Sequence, residues 1–332
     1  MSFSTIVSMF AADLTEVKSI LHKTLAESEY GITKSLSDYT LAAQGKFIRP
    51  VLTLLAFYSV NQNPSQIELK NVYKIAAAIE IIHIASLVHD DVIDDGEYRR
   101  SQPTINKKWG MPTAVAYGVY LYSSALTLIA EVGSPEILSN LAYTVKSMSE
   151  GELHEIDQRD VELFNSQSYY STINAKTSDL FVSATYCGST IAGATDSQLS
   201  QMALFSKQLG QLFQISDDFL DIVDTNGDLK KEVGQDLQQG TVTLPIQLLL
   251  NQLSDEDKHK VLTESSDVSS VIQTILNDKH IADTFYQDMD NLLSKHARDA
   301  HACLVDFEQS HYLQALCDLI DLIQQRAKLT TV

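Results

Sequence analysis

Glycine and proline are scarce in this chain, 13 and 6 among 332 residues. So few backbone breakers leave little material for the many turns of a sandwich or barrel, and the composition favours long helices. Cysteine is nearly absent: Cys187, Cys303 and Cys317 are odd in number, far apart and without a Cys-x-x-Cys spacing. That excludes a disulfide framework and a zinc centre from the expectations and fits a reducing cytosol, hence a cytoplasmic chain. Basic residues are outnumbered, 24 Lys and Arg against 43 Asp and Glu, for a formal charge of −19. The balance argues against nucleic acid and anionic membranes as partners, and most of it reads as solvated surface. The first residues, Met1-Ser2-Phe3-Ser4-Thr5-Ile6-Val7, lack a basic leader, and Asp13 closes their short apolar run. They read as a first helix and not as a signal peptide. Long uncharged runs are taken to be missing too: Glu80 and His83 interrupt the apolar stretch ahead of Asp90, and no membrane span is expected.

What the chain does have is helical periodicity. The expected segments are 3–26, 37–60, 69–95, 112–131, 135–160, 168–194, 198–224, 241–252, 267–277, 281–306 and 309–327. Between them stand the usual breaks, among them Asn63-Pro64-Ser65, Gly110-Met111-Pro112, Gly133-Ser134-Pro135 and Asp224-Thr225-Asn226-Gly227-Asp228. No strand-period alternation stands out. Segments 69–95 and 198–224 are apolar on most faces and should lie centrally. The expectation is a single all-α domain over residues 1–332.

Two clusters carry the chemistry, Asp90-Asp91-Val92-Ile93-Asp94-Asp95 and Asp217-Asp218-Phe219-Leu220-Asp221. In each, the first and third Asp of an Asp-Asp-x-x-Asp pattern are four residues apart, which puts them on one helical face. Like charges at that spacing repel. A hard divalent cation reverses the sign, since it needs several carboxylate oxygens and can carry phosphate oxygens on its other positions. The pair points to magnesium and a diphosphate.

Cations accompany both clusters. Arg99 and Arg100 follow the first and suit bidentate contact with phosphate oxygens. Lys46 and Arg49 are three residues apart, expected on one face of a helical turn, and His83 lies nearly two turns before Asp90. A solvated helix end and a satisfied core histidine are the bland alternatives for these. After the second cluster come Lys231, Gly234, Asp236 and Gly240, a glycine-bearing loop able to wrap over a phosphate. Lys176-Thr177 falls mid-helix, where such a pair ordinarily faces solvent.

In this order the motifs resemble those of trans-type isoprenyl diphosphate synthases over nearly the whole chain. The series is Gly45-Lys46-x-x-Arg49-Pro50, Glu80-x-x-His83, Leu87-Val88-His89-Asp90-Asp91-x-x-Asp94-Asp95 and Arg99-Arg100-x-x-Pro103-Thr104. Lys176-Thr177, Gln214-Ile215-x-Asp217-Asp218-x-x-Asp221 and Gly234-x-Asp236-Leu237 complete it. The resemblance implies a helical bundle around a central cavity, with the Asp faces opposed at its mouth. It implies Asp90, Asp94 and Asp217 as ligands of about three Mg²⁺, with Asp91, Asp218 and Asp221 in support through water or hydrogen bonds. Arg99, Lys176 and Lys231 would hold an allylic diphosphate, and Lys46, Arg49, His83 and Arg100 the diphosphate of isopentenyl diphosphate. Thr177 and Gln214 would line the reacting centre. The implied reaction is ionisation of the allylic substrate, attack by isopentenyl diphosphate and loss of a proton.

Some positions depart from the pattern: Thr241 and Lys230 in the second loop, Val119, Phe47 and Asn106. The Thr241 change resembles catalytic subunits of two-component polyprenyl synthases, so a homodimer and a heterodimer with a small regulatory subunit both stay open. One turn before Asp90, Ala85 and Ser86 are small, which suggests a lipophilic product longer than farnesyl diphosphate, of the kind used in quinone side chains. Tyr117, Tyr120 and Tyr122 are read either as the floor of the product tunnel or as core packing. Competing readings are a noncatalytic partner subunit, a terpene cyclase and a helical scaffold. The six retained motif aspartates with Arg99 and Arg100 argue against all three.

Overall fold

The structure, a computed structural model, describes residues 1–43, 45–157, 165–223, 234–238, 240–263 and 268–328. Of the described residues 82% are helical, so the all-α expectation holds. The helices are α1 (Phe3–Met9), α2 (Ala11–Ala26), α3 (Gly31–Ala42), α4 (Ile48–Val60), α5 (Gln66–Ile93), α6 (Ile105–Trp109), α7 (Met111–Val132) and α8 (Pro135–Asp157). Then follow α9 (Ser166–Ile173), α10 (Asp179–Ile191), α11 (Asp196–Val223), α12 (Gln235–Gln238), α13 (Leu244–Leu250) and α14 (Asp255–Thr263). The series closes with α15 (Val268–Leu276), α16 (Lys279–Ala302) and α17 (His311–Lys328). A π-helical turn, Asn174–Ser178, joins α9 to α10.

Two compact units emerge, each assembled from three stretches of chain. The first comprises Met1–Val145, Leu180–Ala203 and Phe307–Leu316; the second comprises Lys146–Asp179, Leu204–Asp306 and Cys317–Val332. The first Asp cluster belongs to the first unit and the second cluster to the second.

In the first unit α5 packs on α2, α4 and α7. A capping box starts it: Ser65 accepts from the Glu68 N–H, and the Glu68 carboxylate accepts from the Ser65 N–H. Its middle, Val72 through Ile82, is almost fully buried, each Ile or Val contributing about 1.5–3 kcal/mol. Nearby, the Tyr58 and Tyr73 hydroxyls both donate to Asp13 Oδ1 at 2.7 Å, beneath a stack of Phe10, Tyr58 and Tyr312. In the second unit α16 packs against α13 and α15, and Phe219 of α11 meets Phe285 and Tyr286 of α16.

Segment 3–26 is interrupted at Phe10, which caps α1 ahead of α2, and three further expectations need correction. Segment 37–60 is not one helix: the chain breaks between α3 and α4, and Phe47 adopts a left-handed conformation (φ 55°). The Ala43 carbonyl, which would bond the Phe47 N–H in a continuous helix, instead accepts from Arg100 Nη1 at 2.7 Å. Second, there is a minimal antiparallel ladder, β1 (Tyr98–Arg99) with β2 (Gln102–Pro103). Two-residue strands are too short to show a period, and the turn forces positive φ on Arg100 (50°) and Ser101 (65°). Third, α5 and α7 are both long and apolar enough to cross a membrane. Residues 111–130 carry no charge, a run the sequence reading overlooked. Of the apolar window in α5, 61% is buried inside the protein, and α7 lies against it with 39% buried.

Candidate active site

Both Asp clusters lie in the C-terminal part of a 28-residue helix, the first across the last turn and cap of α5 and the second within the last two turns of α11. A helix C-terminus is the negative end of the backbone dipole, so carboxylates there are unfavourable by about 0.3–1 kcal/mol each until a cation arrives. Among the described residues, no three His, Cys, Asp or Glu side chains form a ready metal cage. Mg²⁺ keeps several waters, takes one or two carboxylates and completes its shell with phosphate oxygens. The hard oxygen donors of the two clusters fit such an ion.

At the first cluster, α5 ends at Ile93 and Asp94 is its C-cap, with the Asp94 N–H donating to Asp90 O at 2.9 Å. Asp90 is half-buried and Asp94 exposed, whereas Asp91 is buried. The Asp91 carboxylate is gripped by Arg99, from Nε at 2.9 and 3.1 Å and from Nη2 at 2.8 Å. Behind it, the Asn106 amide donates to Asp91 O and Gly96 O, both at 3.1 Å, and the Thr104 hydroxyl to Gly96 O at 2.7 Å. Asn106, a departure from the common pattern, thus braces the turn that carries Asp94.

Lys46 and Arg49 do not share a helical turn, because the break at Phe47 separates them: Lys46 is exposed in the loop and Arg49 lies in the first turn of α4. The Arg49 guanidinium lies 5.1 Å from the Phe181 ring centroid, and its Nε is shut off from solvent without a hydrogen-bond partner. Burial lowers its pKa to about 10, against the pull of Glu80. Glu80 is itself buried, and burial raises its pKa despite Arg49 and Arg100. His83 is held well below the usual imidazole range by burial and by the nearby cations Arg49, Arg100 and Arg99. It is therefore neutral and offers both a donor and an acceptor.

Arg100 reaches the Ala43 carbonyl by crossing Gly45, where a Cβ would fall 2.6 Å from its guanidinium. Any side chain at 45 would push the guanidinium aside from this crossing. Glu80, His83, Arg99 and Arg100 are among the residues lining a cavity of about 720 Å³, counting the solvent at its mouth. Tyr39, Leu41, Ile84, Leu87 and Ile105 also line it. Ala85 is fully buried and Ser86 half-buried with its hydroxyl on His83 O at 2.9 Å; neither lines this cavity. Tyr117 and Tyr120 stack at 6.0 Å, with hydroxyls directed to Ser37 and to Leu25 O, so they pack the unit's core.

In the second unit, one chain of hydrogen bonds joins four side chains. The Thr177 hydroxyl donates to Gln214 Oε1 at 2.7 Å, Gln214 Nε2 to Asp218 Oδ1 at 2.8 Å, and the Tyr169 hydroxyl to Asp218 Oδ2 at 2.5 Å. Burial pushes Asp218 up to about 7; Tyr169 and Gln214 draw it down, while Asp217 and Asp221 push it further up. Asp217 and Asp221 are half-buried. Asp217 Oδ1 accepts from Arg326 Nη1 of α17. Asp221 receives the returning loop, from Gly234 N–H to its carbonyl at 2.8 Å and from Asp236 N–H to its carboxylate at 3.3 Å. The Thr241 N–H donates to Asp236 O at 2.9 Å, closing the turn beyond α12. Lys230, Lys231 and most of the expected closing loop lie outside the described residues.

Lys176 and Thr177 sit in the π turn, not in regular helix. Such turns are commonly found at functional sites. Glycines on two neighbouring helices let the turn be approached closely: a Cβ at Gly151 would come 2.6 Å from Ala175 Cβ, and one at Gly210 2.7 Å from Ser178. Lys176 meets the carboxylates of Glu152 and Glu155. Burial works to lower its pKa, but Glu155 and Glu152 outweigh it and hold the ammonium above the ordinary lysine range. Sequence reasoning missed Tyr169, Arg326, Glu152 and Glu155; the only local signal was Gly151 beside Glu152.

Within the units, then, the structure gathers Glu80, His83, Arg99 and Arg100 beside the first cluster, and Thr177 and Gln214 beside the second. The sequence profile of the polyprenyl synthetase family matches residues 31–278. The chain belongs to the polyprenyl synthetase family. As a polyprenyl synthetase it is a prenyltransferase. It is 36% identical over 283 residues to heptaprenyl diphosphate synthase component 2 of Geobacillus stearothermophilus, covering 83% of this chain and 85% of that protein. It is 31% identical over 330 residues to a short chain isoprenyl diphosphate synthase of Methanothermobacter thermautotrophicus, covering 94% and 99%. A crystal structure of a polyprenyl synthase from Caulobacter crescentus, complexed with calcium and isoprenyl diphosphate, superposes with a TM-score of 0.87 at 27% identity over 97% of each chain.

Proposed function

We propose that this polyprenyl synthetase condenses isopentenyl diphosphate with an allylic diphosphate to make a polyprenyl diphosphate, with Mg²⁺ as its metal. The observation that carries the reading is the pair of carboxylate clusters near the C-terminal ends of α5 and α11, the first paired with Arg99 and the second with Arg326. We assign Asp90, Asp94 and Asp217 as metal ligands. Asp91, Asp218 and Asp221 are supports, in keeping with the side-chain donors already on Asp91 and Asp218. About three Mg²⁺, when bound, neutralise charge developing on the departing pyrophosphate. The two units together make one catalytic domain.

Isopentenyl diphosphate is held by Lys46, Arg49, His83 and Arg100. Arg49 brings an unpartnered Nε, and the neutral His83 donates a hydrogen bond without adding a charge that must be desolvated. Arg99, Lys176 and Lys231 hold the allylic diphosphate. Thr177 and Gln214 are fixed against each other and orient the reacting end. The C–O bond of the allylic substrate ionises, the double bond of isopentenyl diphosphate attacks the cation, and the departing pyrophosphate takes the proton. Exclusion of water protects the cation and falls to the loop around 225–241.

Ala85 and Ser86 set product length, and with no aromatic plug there the product exceeds farnesyl diphosphate. Ala85→Phe should shorten the product on chromatography; an unchanged distribution removes the assignment. We place the chain in the cytosol, as a dimer. Met111, Val115, Val119 and Leu126 share one exposed face of α7 and support an interface. Similarity to a protein called component 2 favours a second reading, a catalytic subunit that needs a small partner. The test is incubation of the purified chain, alone, with Mg²⁺, isopentenyl diphosphate and each short allylic primer. Product from the chain alone supports the first reading, and activity only after a partner is added supports the second. No prenyl transfer in either case overturns both.

A further inference from the structure

Lys176 faces two carboxylates, Glu152 at 2.7 Å and Glu155. The glutamates are three residues apart on α8 and therefore share a face. They reach the π turn because Gly151 lets α8 approach Ala175. The Lys176, Glu152 and Glu155 side chains are only 28, 12 and 22% exposed, so solvent screens them weakly. Two carboxylates against one ammonium leave a local charge of −1. A diphosphate arriving at Lys176 thus meets a cation whose charge is already more than cancelled. One glutamate is enough to fix the ammonium; the second holds its attraction for phosphate in check.

We infer that Glu152 and Glu155 are positioning residues that set the diphosphate affinity of Lys176, keeping its grip on pyrophosphate weak enough for release between condensations. The inference rests on the assignment of Lys176 to the allylic diphosphate. Binding diphosphate equally in substrate and product would slow turnover without aiding ionisation, so a restrained cation suits an enzyme that expels pyrophosphate at every cycle.

The test is calorimetric titration of the full chain with inorganic pyrophosphate in the presence of Mg²⁺, with circular dichroism confirming that each variant is folded. Glu155→Gln should bind pyrophosphate about tenfold more tightly, the effect of removing one charge at contact range. In steady state the same variant should lower KM for the allylic substrate and lower kcat as product release slows. Glu155→Asp should restore wild-type values, and the gain should vanish in the double variant Glu155→Gln/Lys176→Ala. Unchanged or weaker binding in Glu155→Gln overturns the inference, as does a gain that survives loss of Lys176. If Lys176→Ala alone binds pyrophosphate as tightly as wild type, the assignment of Lys176 itself fails, and that outcome is distinct from the other two.

Discussion

Asp91 and Asp218 occupy the same place in two copies of one pattern. Each is the second carboxylate of its cluster, within the last two turns of a 28-residue helix, and each is buried. Their partners differ. Asp91 is met by the guanidinium of Arg99, a full opposite charge in bidentate geometry. Asp218 is met by a phenol and an amide, which supply hydrogen bonds but no charge. The first is neutralised in place, while the second carries an uncompensated charge, which is why burial lifts its pKa to about 7. In both, protein donors occupy the middle carboxylate, in keeping with the proposal that it supports the metal site without ligating the metal. The same geometry is thus reached by an ion pair in one unit and by a neutral network in the other.

The largest effect expected is on turnover. Asp90→Ala and Asp217→Ala should each lower prenyl transfer by roughly a thousandfold or more with the helical circular dichroism spectrum intact. A variant that keeps near-native rates would show that the clusters are not equivalent as metal sites. The comparison of middle carboxylates predicts opposite signs of stability change in the metal-free chain. Asp91→Asn should destabilise by about 1–2 kcal/mol, since it removes a charge-assisted pair whose Arg99 end is half-exposed. Asp218→Asn should be neutral or stabilising at pH 8, because an amide can keep both contacts without a buried charge. Thermal denaturation of the two variants reads the difference directly. Equal losses would break the contrast.

Smaller effects sharpen the picture of the second unit. Arg326→Ala withdraws the guanidinium from Asp217, so Mg²⁺ should bind several-fold more tightly in a titration at low ionic strength. His296 is buried between Gln208 and Tyr170, and burial lowers its pKa from 6.5 to about 4. A base depressed in the folded state contributes stability above its unfolded pKa and loses it as pH falls through the folded one. The chain should therefore lose on the order of 2 kcal/mol between pH 6.5 and pH 4 from this group. Urea midpoints across that window should flatten in His296→Gln.

The parts legible in the sequence were those governed by local periodicity. The helices ending in Asp90–Asp94 and Asp217–Asp221 follow from apolar spacing, and the four-residue interval of the carboxylates follows from helix geometry. The order of the motifs carried the family. What stayed hidden depends on partners distant along the chain. Tyr169 is 49 residues from Asp218, and Arg326 is 109 from Asp217, separations that no pattern rule joins. The break at Phe47 was misread as helix because its cause, Arg100 taking the Ala43 carbonyl, lies on a different element. The π turn at Lys176 likewise leaves no mark in apolar spacing, although Gly151 and Gly210 record the close approach of its neighbours.

The central proposal is that Asp90, Asp94 and Asp217 hold metal while Asp91 and Asp218, already engaged by protein donors, support them. Equilibrium Mg²⁺ binding in the presence of inorganic pyrophosphate tests it most directly. Asp90→Ala and Asp217→Ala should each lose bound metal, while Asp91→Asn and Asp218→Asn should retain the wild-type stoichiometry with at most a modest fall in affinity. Loss of metal in Asp91→Asn or Asp218→Asn as complete as in Asp90→Ala and Asp217→Ala would contradict the account.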